Sequence, residues 1–185
     1  MKNGNLEDSI EYCQYELSKT EPTDFHWTIN KNFLHLENNL LDFLNYNFLN
    51  KPNITKTKAF YSELNGFSIN WDKWFLDVVA FDQKGDFYSE DLDWICDGFW
   101  GSINPEYFTL TGWGVLQKVF DNYHKNEKYE INEEKKAAEL TEYLVINRLQ
   151  ELFRKVILSE RERKTDWAQI PFGITAHDYD LILEI

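Results

Sequence analysis

Between Leu140 and Val156 apolar side chains recur on one helical face: Leu140, Leu144, Leu149, the adjacent pair Leu152 and Phe153, and Val156. The spacing predicts an amphipathic helix over about 133–160, which at 1.5 Å per residue is ~42 Å long. A helix of that length must bury its stripe against most of the other elements, so it sets the layout of the chain. Asn132 is placed as its N-cap, with Glu133 and Glu134 in the first turn. The run "RERK" at 161–164 complements the other end of the helix dipole and is read as a solvated cap.

Two shorter helices are expected before it. Leu6, Ile10, Cys13 and Leu17 define one over 6–19, which Glu21-Pro22 ends. Phe33, Leu36, Leu40, Leu44 and Phe48 define another over about 31–49, with Lys51-Pro52-Asn53 as its stop. The period then changes. "FSINW" (67–71) alternates, "WFLDVVAFD" (74–82) is rich in aromatic and β-branched residues, and "DQKGD" (82–86) signals a turn. Two or three antiparallel strands are expected over 57–89, including a hairpin ending in "FYS". Val115, Leu116, Val119, Phe120 and Tyr123 return to helical register after Thr111-Gly112, "IPFG" (170–173) reads as a break, and "DLILEI" supplies a last strand.

The order of elements predicts a single α+β domain over 1–185, a small antiparallel sheet of about three to five strands packed against four or five helices. No repeat and no linker composition divides it. A length of 185 residues lets such a chain bury about 70% of its unfolded surface, enough for a core without staples.

Nineteen basic against thirty-two acidic residues leave a net charge of −13, unevenly placed. Residues 125–164 hold ten Lys/Arg against nine Asp/Glu, whereas residues 72–106 hold nine acids and only Lys73 and Lys84. Such a field repels nucleic acid and anionic membrane, and it draws in cationic partners. The start "MKNGNLEDSIEYC" has no apolar core of a secretory signal, and no apolar run is long enough to span a bilayer. A cytoplasmic protein is expected, with Cys13 and Cys96 as buried thiols rather than a bridge and the Asn53-Ile54-Thr55 sequon unused.

Catalytic and metal motifs are mostly missing. His26, His35, His124 and His177 form no metal-ligand spacing, the two cysteines form no C-x-x-C, and there is neither a nucleophile elbow nor a phosphate loop. No metal and no cofactor is called for. His177-Asp178, with Asp180 beside it, is one place a hydrolase could use, and Asp91, Asp93 and Asp97 offer paired carboxylates at another. Each has a plainer reading, as surface histidine and as an exposed acidic face.

What remains is the run Glu90 to Trp100, "EDLDWICDGFW", four carboxylates and three large rings with no positive charge. Aromatic residues ringed by acids suit an interface with a basic protein, the rings supplying contact and the acids orientation and encounter rate. The expected contact group is Glu90, Asp91, Asp93, Trp94, Asp97, Phe99 and Trp100, read as a short helix or loop that Gly98 ends. "DLDWICDGFWGS" followed by "FTLTGWGVLQKVF" resembles the immunity proteins that accompany bacterial polymorphic toxins, in size, acidity, aromatic content and the order strand, acidic turn, helix. The resemblance implies a cytoplasmic protein that neutralises a toxin, a basic nuclease for example, by occluding its active site or an adjacent surface, with no reaction of its own. Two other readings stand beside it: a hydrolase at either carboxylate site, and a structural module whose long helix pairs with another chain.

Overall fold

The structure, a computed structural model, describes residues 5–50, 54–70, 72–103 and 106–185. Trp71, the expected helix stop at 51–53 and Asn53 of the sequon lie outside the described residues.

The long helix is there as α4, Asn132–Glu162, beside α1 (Leu6–Lys19), α2 (Glu37–Leu49) and α3 (Gly114–Lys125). Mid-way along α4 the burial goes almost all round, through Leu144, Val145, Ile146, Asn147, Leu149, Gln150, Leu152 and Phe153. A helix buried on all sides has neighbours on all sides. Here α1 lies on one flank, where buried Asn147 reaches Cys13, and the sheet lies on the other. Gln150 fastens the sheet side: its amide donates to the carbonyls of Ile174 at 3.1 Å and Leu181 at 2.7 Å.

The sheet holds β1 (Ala59–Asn65), β2 (Phe75–Leu76), β3 (Val79–Phe81), β4 (Trp100–Gly101), β5 (Phe108–Thr109), β6 (Phe172–Ala176) and β7 (Leu183–Glu184). β2 and β3 both run antiparallel to β1 in one unbroken register, from Ala59 opposite Phe81 to Asn65 opposite Phe75. They are one strand interrupted at Asp77-Val78. There the Ser62 hydroxyl donates to the Asp77 carbonyl, and Val78 N–H donates to Ser102 Oγ at 2.6 Å. β4 and β5 line the outer side of this strand, while β6 joins the opposite side of β1 and carries β7 on its own far edge.

The α+β class is as expected, but the sheet is mixed: β6 runs parallel to β1 from Phe172 opposite Phe60 to Ala176 opposite Leu64. "IPFG" does not break the chain but leads into this strand. All five of its residues are buried, so it carries no alternation for the sequence to display. The described part of "FSINW" is a turn at 67–69, entered through Phe67 at φ 54, and "FYS" is a turn also. α2 starts at Glu37 after a 3₁₀ turn at Leu34–Leu36, where Asn32 Oδ1 caps Leu34 N–H. Ile131 takes the cap position of α4, and Asn132 is its first helical residue.

Phe60, Leu64, Phe172 and Ile174 point from the sheet toward the helices, into the main core with Phe48, Leu149 and Phe153. The alternate residues Tyr61 and Glu63 therefore face away from them. No described helix is long and apolar enough to cross a membrane.

Candidate functional site

The helix-free face of the sheet has its own small core, built from Ala59, Tyr61, Phe81, Phe87 and Ile182, with Val79, Leu92, Trp94 and Ile95 against it. What covers this face is the acidic segment, residues 82–98. Phe87 lies parallel to Tyr61 at 6.2 Å, and Trp94 meets Phe81 and Phe87 edge-on at 5.2 and 4.9 Å. The path between these anchors is a chain of local caps by short polar side chains. Asp86 Oδ1 accepts from Tyr88 N–H, Ser89 Oγ from Asp91 N–H and Asp91 Oδ1 from Asp93 N–H, at 2.8, 3.1 and 3.0 Å. A 3₁₀ turn over Asp93–Asp97 follows, and Gly98 ends it. Two contacts tie the cover to the edge strand β7: Tyr88 Oη accepts from Glu184 N–H, and Lys84 pairs with Glu184 at 2.6 Å.

Of the seven expected contact residues, Glu90, Asp91, Asp93 and Asp97 are exposed, as are Asp82 and Asp86 beside them. None of these six carboxylates enters an ion pair among the described residues. Phe99 is 37% exposed. The two indoles do not face solvent as expected. Trp94 is half-buried beneath the acids. Trp100, in β4, turns to the helix side and packs edge-on against Phe60 and Phe48. The run is thus amphipathic by layers, with rings inward on both sides of the sheet and carboxylates outward. Asp93 and Asp97 stand at the two ends of an exposed turn, and Cys96 within it is exposed and not buried as expected, while Cys13 is buried.

Beyond the cover the same sheet face is open, and here the structure brings together residues that the sequence does not link. Glu63 and Asp77 lie opposite each other in the register of β1, on adjacent strand segments. Like charges so placed repel. The Asp77 carboxyl is pushed above the usual carboxylate range, by burial first and then by the charges of Glu63 and Glu106. Glu63 Oε2 meets His177 Nδ1 at 2.8 Å, and Asp178 Oδ1 lies 3.5 Å from His177 Nε2. Tyr61 borders the group, its phenol pushed up by burial and by Glu63. Glu63 is 114 positions from His177, and only the alternation of β1 together with the unforeseen strand β6 could have joined them. Among the described residues no group of three His, Cys, Asp or Glu could hold a metal ion.

A search of family models finds none that matches the chain, and no curated protein or solved structure matches it either.

Proposed function

We propose that the chain is a cytoplasmic protein-binding module that docks a cationic protein on the outer side of its acidic cover, in the manner of the immunity proteins it resembles. One observation carries this reading: six carboxylates point outward from a segment whose rings anchor it from beneath, and none of them is neutralised by an ion pair among the described residues. Such a surface keeps its charge unspent and pre-positioned. A basic partner gains encounter rate from it and loses little entropy on docking. Glu90, Asp91, Asp93, Asp97 and Phe99 make the contacts, while Trp94 and Trp100 hold them in place. A basic toxin or nuclease domain whose cleft binds phosphates is the partner class that this pattern of charge suits.

The test is association kinetics with a basic protein encoded beside this one, at a series of salt concentrations. The on-rate is expected to fall steeply with salt and to drop in the triple variant Asp91→Lys, Asp93→Lys, Asp97→Lys. Undiminished capture by that variant would remove the cover from the interface.

A second reading rests on His177. Its Nδ1 contact with Glu63 orients the ring as a general base is oriented, yet the group lies on open surface with Asp178 beside the other nitrogen. Hydrolysis that is lost in His177→Ala and retained in the triple cover variant would favour it.

A further inference from the structure

A groove of about 460 Å³ runs between α2 and the edge strand β5. Asn39, Asp42 and Tyr46 line one side at helical spacing, and Phe43 forms the floor with its ring 5.7 Å from that of Phe108. The opposite side is backbone. Phe108 and Thr109 pair with Leu76 and Phe75, and Leu110 N–H donates to the Trp74 carbonyl at 2.9 Å. Bonded and non-bonded pairs alternate along an antiparallel ladder. If Leu110 and Phe108 turn toward β2, the N–H and carbonyl of Thr109 turn to the outer edge. Thr111 has the same parity, and its carbonyl does point outward, where His35 Nε2–H donates to it at 3.1 Å. Thr109 has no such partner among the described residues.

We propose that this groove receives an extended, basic segment of another protein, which adds to β5 as a strand through the backbone of Thr109 and sets alternate Lys or Arg side chains against α2. Three features select the occupant. The free edge offers one donor and one acceptor, the pairing unit of strand addition. Asp42 lines the groove and enters no ion pair among the described residues. A ring there suits a cation: Tyr46, on the α2 side, is 44% exposed. His35 closes one end at Thr111, so the strand is short. The groove shares no residue with the acidic cover, and the inference stands without that reading.

The experiment titrates ¹⁵N-labelled protein with a capped Lys-Val-Lys-Val-Lys-Val-Lys peptide and follows amide shifts. Saturable shifts are expected at Thr109, Asp42 and Tyr46. Asp42→Lys is expected to weaken binding about fivefold, as replacing one exposed attraction with a repulsion does. Thr109→Pro removes only the outward N–H and is expected to abolish the shift at Tyr107. Should that variant fail to fold, Tyr46→Ala on the exposed side of α2 is expected to weaken binding in its place. Binding is expected to survive the triple cover variant. Absence of a saturable shift at Thr109 overturns the proposal, as does an equal response to the Glu-Val counterpart or a response confined to residues 82–97. Concentration-dependent shifts at Thr109 without peptide overturn it in favour of a second copy of this chain.

Discussion

Replacing Gly173 by alanine isolates the joint between the cover and the sheet. Gly173 sits in β6 with ordinary negative φ, so alanine meets no backbone strain. Its Cβ, however, would stand 2.8 and 2.9 Å from Cδ1 and Cζ of Phe87, and nearer still to Cε1. Ordinary carbon contacts are about 3.5–4 Å, so the ring must move by about 1 Å. Overpacking of this kind costs about 1–3 kcal/mol, and removing a glycine from a strand returns about 0.5–1 kcal/mol. The clash wins, and the net loss is about 1–2 kcal/mol, or about 3–6 °C in Tm for a chain of this size. Urea unfolding measures the loss, and hydrogen exchange locates it, with faster exchange at 86–97 and unchanged exchange in α4. Adding Phe87→Leu shortens the offending side chain. The double variant is therefore expected to be at least about 0.5 kcal/mol more stable than the two single losses summed. A neutral Gly173→Ala, or strict additivity, would refute the seating of Phe87 on β6 and with it the account of how the cover is held.

Gln150→Ala leaves a buried carbonyl, that of Ile174, and a half-buried one, that of Leu181, without this donor, and is expected to cost about 1–3 kcal/mol by denaturant midpoint. Burial raises the Glu142 carboxyl above its ordinary 4.5, against the lowering effect of the hydrogen bond that Tyr179 Oη donates at 2.5 Å. The folded state then holds this proton more tightly than the unfolded one. Stability from this group is present below pH 4.5 and lost as pH rises through the folded value, so Glu142→Gln is expected to flatten the fall in urea midpoint over that window. Gly112 has φ +87, and a Cβ there would meet His35 Nε2 at 3.1 Å. Gly112→Ala is expected to cost about 1–2 kcal/mol and to free the His35 ring, seen as a shift of its imidazole resonances.

How far the sequence discloses this molecule depends on which elements carry a period. α1 and α4 are amphipathic or long enough that their stripes place them within a residue or two, and α3 follows from Leu116, Phe120 and Tyr123. β6 is invisible because it is buried on both faces, and losing it hides the parallel pairing and the meeting of Glu63 with His177. The acidity of 90–97 is legible and its exposure follows from it. The direction of Trp94 and Trp100 is not, because a ring flanked by acids looks the same in sequence whether it points toward a partner or toward its own sheet. Only the small core under the cover, assembled from Ala59 to Ile182, decides between them.

The two borders of the sheet are unlike. At β7 the Tyr88 hydroxyl takes the outward Glu184 N–H, and Lys84 holds the Glu184 carboxylate. At β5 the outward groups of Thr109 have no partner among the described residues. Growth of a ribbon from repeated copies requires a joinable margin at each end, so that every newcomer offers the next one a place. A molecule stoppered at one margin can accept a single strand and pass nothing on. One phenol and one ammonium at the rim are what stopper the β7 margin against such pairing.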